Sequence, residues 1–326
     1  MTIAIIGATG LVGSEIIKVL EEKNIKEISE IIFVGSKKSV GKKIKYKNKK
    51  EKIVSIKEAI KMTPKYALFS AGSKISTKYA KEFNKNKTIV IDNSSAFRMN
   101  KKIKLVVPEI NGKTITKNDK IIANPNCSTI QLVMVINNIY KKRGIKRMIV
   151  STYQSVTGTG YKAVKQLQNE EENKQTNKSV YEKKIHRNII PKCDEFNESG
   201  YTKEEEKIIK ETNKILGSNI KITATAVRVP TLGGHGESVN IELEKETSKQ
   251  QVIEIIKKQK GVYVDTGTKY KTPVEVASKN EVFVSRIRKD FSQKNSYNLW
   301  VVADPLRKGA ATNAVQILEL LININK

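Results

Sequence analysis

What this chain has little of narrows its function first. Its 326 residues hold only two cysteines, Cys127 and Cys193, too few for a disulfide framework, so a reducing cytosol is the expected compartment. Histidine occurs twice, at His186 and His235, and no metal centre is expected. Aromatic residues make up 6% and arginine occupies only positions 98, 143, 147, 187, 228, 286, 288 and 307. With no arginine–aromatic platform and no recognition-helix motif, a nucleic-acid partner is not expected. No apolar run approaches the roughly 20 residues that cross a bilayer. Thr2 to Ile6 runs straight into a glycine turn, with no basic leader or cleavage site.

What is present in excess is lysine. The net charge of +28 comes almost wholly from lysines scattered along the chain, which reads as a solvated coat and a compositional bias. At low salt it draws anionic substrates. Hydrophobic residues at 38% and charged residues at 29% mark a globular chain long enough for two domains.

The first hundred residues alternate short apolar runs (3–6, 31–34, 67–71, 88–92) with helical patterns at 12–23, 56–61 and 76–83. That order predicts an α/β fold, a doubly wound parallel sheet of Rossmann type, closed by a strand at 121–124. From about residue 146 longer strands are expected at 148–156, 220–229, 238–244, 282–288 and 298–303. Helices near 160–168, 203–216 and 249–260 separate them, and the whole reads as an α+β catalytic and dimerisation domain with a mixed sheet. The polar stretch 169–179 is expected to be mobile. A final amphipathic helix, 311–324, returns to the first domain, so the expected division is 1–126 with 306–326 against 127–305.

Gly7-Ala8-Thr9-Gly10-Leu11-Val12-Gly13 follows a strand and opens a helix. Glycines there permit a tight turn and let a pyrophosphate rest on helix N–H groups. The second strand leads to Ser36-Lys37-Lys38-Ser39, hydroxyls and cations suited to a 2′-phosphate, with no acid to accept from a ribose hydroxyl. NADP is therefore the expected cofactor. Ser70-Ala71-Gly72, after the third strand, forms a second rim.

Asn124-Pro125-Asn126-Cys127-Ser128-Thr129 places a cysteine at the mouth of a helix whose apolar face is Ile130, Val133, Ile136 and Ile139. A thiol there meets unbonded backbone N–H groups and the positive end of the helix dipole, which favours thiolate.

Together with Asp92-Asn93-Ser94-Ser95-Ala96-Phe97-Arg98, Thr152-Tyr153-Gln154-Ser155-Val156-Thr157-Gly158 and Arg228-Val229-Pro230-Thr231-Leu232-Gly233-Gly234-His235, these motifs resemble the aspartate-β-semialdehyde dehydrogenase family. Ile189-Ile190-Pro191-Lys192-Cys193-Asp194-Glu195-Phe196, Glu204-Glu205-Glu206-Lys207 and Lys308-Gly309-Ala310-Ala311-Thr312-Asn313 extend the likeness over nearly the whole chain. The resemblance implies a glyceraldehyde-3-phosphate-dehydrogenase-like fold and NADPH-dependent reduction of aspartyl phosphate to aspartate semialdehyde through a cysteine thioester. It implies Cys127 as nucleophile, His235 as general acid/base and Gln154 as the residue that orients substrate. It assigns Arg228 to the α-carboxylate, Glu204 to the α-ammonium, and Arg98, Asn126 and Lys207 to phosphate. Gly158 and Asn313 become further cofactor contacts, and the partner a second copy of the chain, as a homodimer or a tetramer. Lys37-Lys38 stands where relatives often carry arginine. Cys193 reads as an incidental thiol and His186 as a surface residue.

Two rival readings keep the fold. N-acetyl-γ-glutamyl-phosphate reductase would carry Asn-Pro-Gly-Cys-Tyr at the cysteine. A non-catalytic NADP-binding regulator would lose the cysteine or histidine, and both are present.

Overall fold

The computed structural model describes residues 1–175 and 179–326, which divide into two units, Met1–Pro125 with Ala310–Lys326 and Asn126–Gly309. The middle of the stretch expected to be mobile, 176–178, lies outside the described residues.

In the first unit the strands β1 (Thr2–Ile6), β2 (Glu30–Val34), β5 (Tyr66–Phe69), β6 (Ile89–Asp92), β7 (Lys104–Leu105) and β8 (Ile121–Ala123) form one sheet, ordered β2-β1-β5-β6-β8-β7. Every pairing is parallel. Such strands are covered on both faces, which is why they read as unbroken apolar runs. Alternate residues of β1 enter two cores. Ile3 and Ile5 pack with Leu20 of α1 (Leu11–Lys23) and with Val315 and Leu318 of the closing helix, Thr312–Ile324. Ala4 and Ile6 pack with Ala59 of α2 (Ile56–Lys61) and Phe83 of α3 (Ser73–Lys85). A short helix, α4 (Pro108–Asn111), precedes β8.

The strand expected to close the sheet is β8, yet the edge position belongs to β7, a two-residue strand too short to show periodicity. A hairpin, β3 (Lys43–Tyr46) with β4 (Lys49–Lys52), was not legible either. Its turn holds Lys47 and Asn48 at φ 43° and 64°, the two left-handed residues of a hairpin turn.

The second unit has a six-stranded mixed sheet ordered β10-β9-β11-β14-β13-β12. These are β9 (Ile145–Gln154), β10 (Lys221–Arg228), β11 (His235–Leu243), β12 (Val262–Val264), β13 (Val282–Lys289) and β14 (Ser296–Ala303). The helix α5 (Cys127–Arg143) packs on this sheet and against the helices α7 (Lys203–Leu216) and α8 (Lys249–Lys257), which also contact the sheet. Residues 128–137 of α5 are therefore buried all round. The remaining helix, α6 (Tyr161–Glu171), takes in the start of the stretch expected to be mobile.

The strand expected at 238 begins at 235, which puts His235 on β11. Gly236 looks like loop in sequence, but it is a strand residue over which Trp300 packs: a Cβ there would stand 2.3 Å from the indole. Beside the start of β11, the neighbouring strand β9 stops at Gln154, ahead of a 3-10 turn at Val156–Thr159. No helix among the described residues is long and apolar enough to cross a membrane.

Candidate active site

Cys127 is the first residue of α5 and is half-buried. Asn126 caps the helix, its Oδ1 accepting from Ser128 N–H (3.0 Å) and Thr129 N–H (3.2 Å). The cap is itself held: Asn126 N–H donates to Glu211 Oε2 (2.7 Å) and its Nδ2 to Glu204 Oε1 (2.9 Å). The helix entry is thereby clamped to α7. Gly309 closes the other side, for a Cβ there would lie 2.8 Å from the Cβ of Cys127.

Sheet register assembles the rest. Arg228 pairs with Gln154 and Gln154 with His235, so the three stand in one row across β10, β9 and β11 with side chains on one face. Gln154 Nε2 lies within bonding distance of Ser128 Oγ (3.0 Å), Glu204 Oε1 (3.2 Å) and Thr152 Oγ1 (3.3 Å). Glu204 is thus met by Asn126, Gln154 and Lys207, whose Nζ reaches Oε2 at 3.1 Å and Asp194 at 2.7 Å. Burial opposes ionisation of Glu204, but Lys207, the Asn126 amide and Arg228 outweigh it and hold the carboxyl down to about 2. Of the three consecutive glutamates, Glu204 is the one in the site. Glu205 completes a capping box with Thr202, and Glu206 pairs with Lys210 (2.8 Å).

Arg228 is buried, donating from Nη1 to Ser155 O (2.8 Å), while its Nε makes no hydrogen bond among the described residues. His235 is fully buried. Its Nδ1 accepts from Ser155 N–H (3.1 Å), and its Nε2 has no partner among the described residues. Burial first, then the charge of Arg228, push the imidazole down to about 3, so it is neutral near pH 7. Gly158, expected at the cofactor, stands in the second unit against this ring: a Cβ there would meet Nε2 at 2.6 Å. Burial pushes the Cys193 thiol up to about 12 against the pull of Arg228, an unreactive state.

The first unit carries the glycine loop and Arg98. Gly7 has φ 91°, and its N–H donates to Val34 O (2.9 Å). A Cβ at Gly13 would fall 2.1 Å from Gly7 O, so neither position admits a side chain. No side chain caps α1, which leaves its N-terminus suited to a pyrophosphate. Ser70 Oγ donates to Ile6 O (2.9 Å) and steadies the loop. Gly72, at φ 87°, opens α3 with no side-chain cap and open space about it. Ser36, Lys37 and Lys38 are exposed beyond β2, with Ser39 half-buried. Asn313 is fully buried, its amide donating to Val106 O (2.9 Å) and Asn124 Oδ1 (2.7 Å). Arg98 is buried and braces the chain before the cysteine, with Nε on Asn124 O (2.9 Å) and Nη2 on Asn93 O (2.7 Å). No group of three or more potential metal ligands occurs among the described residues.

Sequence reasoning left Ser128, Ser155, Asp194, Glu211 and Gly309 without roles. Ser155 acts through its backbone and Gly309 through the absence of a side chain, so only the neighbouring motif residues signal them.

Residues 2–118 match the description "Semialdehyde dehydrogenase, NAD binding domain", and residues 136–308 match "Semialdehyde dehydrogenase, dimerisation domain". Fold and site thus define a semialdehyde dehydrogenase. The aspartate-semialdehyde dehydrogenase of Aquifex aeolicus is 46% identical over 332 residues, spanning 98% of this chain and 97% of that protein. That of Bacillus subtilis is 41% identical over 339 residues, spanning 99% and 98%. The crystal structure of aspartate semialdehyde dehydrogenase II from Vibrio cholerae matches with a TM-score of 0.94 at 39% identity, covering 99% of this chain and 98% of that one. A second structure of that enzyme is a complex with ASA. The chain belongs to the aspartate-semialdehyde dehydrogenase family and is an oxidoreductase of amino-acid biosynthesis.

Proposed function

We propose that this enzyme reduces L-aspartyl 4-phosphate to L-aspartate 4-semialdehyde with release of phosphate, using NADPH and a thioester on Cys127, in the route to lysine, threonine and methionine. The observation that carries this reading is Cys127 at the N-terminus of α5, with Gln154, Glu204, Arg228 and His235 in the same unit. A thiolate there attacks the acyl carbon and expels phosphate. Bound nicotinamide supplies the hydride that reduces the resulting thioester. Arg228, with Nε unpaired among the described residues, receives the α-carboxylate in a fork that lysine could not copy. Glu204 is anionic and receives the α-ammonium on a carboxylate that also accepts from Lys207. An acetylated amine would leave that carboxylate without its ligand partner, which disfavours the acetylglutamyl reading. Arg98, Asn126 and Lys207 attend the phosphate, Gln154 orients the acyl group and His235 serves the reacting oxygen.

NADP rather than NAD follows from Ser36, Lys37, Lys38 and Ser39 beyond β2, where no acid stands. The second unit, matching a dimerisation domain, forms the homodimer. Aspartate semialdehyde, phosphate and NADP⁺ should yield NADPH absorbance, and the signal should vanish without phosphate or in Cys127→Ala. Turnover that ignores phosphate, or survives that substitution, overturns the reading. Equal kcat/KM for NADPH and NADH overturns the cofactor choice.

A further inference from the structure

We infer that Asp194 holds Lys207 aside within the substrate site, so that Glu204 accepts from the α-ammonium and from Lys207 at once, and that the enzyme thereby selects an aldehyde with an α-ammonium over one without it. This rests on the assignment of the α-ammonium to Glu204 proposed above and adds the residue that makes room for it.

Glu204 has little acceptor capacity to spare. Its Oε1 already accepts from Asn126 Nδ2 (2.9 Å) and Gln154 Nε2 (3.2 Å), and a carboxylate oxygen offers about two lone-pair sites. Its Oε2 carries Lys207 Nζ at 3.1 Å, so an incoming ammonium must share that oxygen with a second cation. Two ammonium groups on one oxygen repel. Lys207 has another acid to turn to, for Asp194 Oδ2 stands at 2.7 Å, closer than Glu204. Asp194 is itself fixed. Its Oδ1 accepts from Glu195 N–H (2.9 Å), and its φ of 70° is left-handed, a conformation that aspartate and asparagine tolerate. Ile190 exchanges both backbone hydrogen bonds with Arg228 (2.8 and 2.9 Å), and Glu195 O accepts from Lys203 N–H (2.8 Å) at the start of α7. The segment that carries Asp194 is therefore tied to the end of β10 and to the helix that carries Glu204 and Lys207.

The charges show what the second acid does. Burial opposes the charge on Lys207, but Glu204 and Asp194 outweigh it and raise the ammonium above its usual range. Lys207 is thus a cation in the empty site and a rival for Glu204. Burial also opposes ionisation of Asp194, yet the bond from Lys207 prevails and lowers its carboxyl. Two carboxylates and one ammonium leave a single negative charge, which the α-ammonium of the substrate cancels. Without Asp194 the same ligand would leave a single positive charge around a buried carboxylate, where water screens little. Asp194 meets Lys207, so it is a positioning residue acting through that lysine. Its effect is confined to ligands that bring a second cation to Glu204.

Isothermal titration of the full-length enzyme, without coenzyme or phosphate, compares aspartate semialdehyde with succinate semialdehyde, the same aldehyde without its α-ammonium. Asp194→Asn keeps the shape, the left-handed turn and the acceptor for Glu195 N–H, and removes only the charge. The preference for aspartate semialdehyde, read as the ratio of the two Kd values, should fall about 5-fold, the upper end for an ion pair that water partly screens. Lys207→Met removes the rival cation and should keep the wild-type preference or raise it. Adding Asp194→Asn to Lys207→Met should then move the ratio by less than about 2-fold, the scatter expected of sites that no longer interact. An undiminished preference in Asp194→Asn overturns the inference. So does a fall in Lys207→Met alone, or a full 5-fold fall when Asp194→Asn is added to it. A wild-type enzyme that binds the two aldehydes equally overturns the assignment of the ammonium to Glu204 itself, a failure told apart because it appears before any substitution is made.

Discussion

Gly158 presses on the ring of His235, where a Cβ at 158 would stand 2.6 Å from Nε2 and 2.9 Å from Cε1. The ring is fully buried and held at Nδ1, so it cannot yield without breaking its bond to Ser155. Gly158→Ala should lower kcat by about 100-fold, the usual effect of displacing a reacting group by about 1 Å. KM for the semialdehyde should change little. Steady-state kinetics decide this, and wild-type kcat in Gly158→Ala would show that the ring can shift freely.

Arg228 has Nη1 on Ser155 O (2.8 Å) and Nε unpaired among the described residues, so the proposed reading gives its guanidinium both a structural and a ligand role. Lysine at 228 could serve one of these, not both. Arg228→Lys should reduce kcat/KM by about 100-fold, since a charge-assisted hydrogen bond is worth about 1.5–3 kcal/mol. Most of the loss should fall on KM. Thermal unfolding of the variant should stay cooperative, and an unchanged KM would remove Arg228 from substrate recognition.

Gly309 faces the backbone and Cβ of Cys127, so alanine there meets Cβ at 2.8 Å and Cα at 3.3 Å. Overpacking of this kind costs about 1–3 kcal/mol. Gly309→Ala should lower Tm and shift the thiol, which would appear as a slower alkylation of Cys127 by iodoacetamide. An unaltered alkylation rate would mean that the turn at 307–311 relaxes without disturbing the cysteine.

Two buried glutamates of this unit should respond to pH with opposite signs. Glu237 lies one row below His235, paired with Thr152 and Val301. Neither of its oxygens makes a hydrogen bond of ordinary geometry among the described residues, and burial raises the carboxyl well above its usual range, only partly offset by the Gln131 amide. The folded state keeps a proton that the unfolded chain releases near pH 4.3, so stability falls as pH rises above that point. Glu204 is the reverse: held down to about 2, it stabilises the fold above the ordinary carboxylate range, and that contribution is lost as pH falls toward about 2. Relative to wild type, Glu237→Gln should therefore gain in Tm as pH rises from about 5 to about 8. A pH-independent difference would show that Glu237 is ionised or solvated in the folded protein.

Much of the fold was legible because burial leaves a local mark. Ile3–Ile6 and Ile31–Val34 are apolar throughout since helices cover both faces of their sheet, and the helix expected at 203–216 is α7, opened by a capping box of Thr202 and Glu205. The lysine-rich hairpin 43–52 leaves no such mark, because its strands pair through backbone and its half-exposed residues bury little. Within the site, the place of Cys127 at a helix mouth could be read from the sequence, and the family resemblance named Gln154, Arg228 and His235. The tie between Ser155 and His235 could not, since it joins residues 80 apart through the backbone and arises from the pairing of β9 with β11.

By itself the sequence determined which chemical groups this protein owns: a thiol at a helix mouth, the Arg228 guanidinium and the His235 imidazole seven residues apart in the chain, and a glycine loop that opens a helix. Tertiary structure alone decided their states. It made Glu204 an anion and Glu237 an acid in the same unit, silenced Cys193, and buried His235 against the Ser155 N–H. Charge and tautomer depend on lost water and on neighbours brought together by long-range strand pairing, and neither is a property of a residue in isolation.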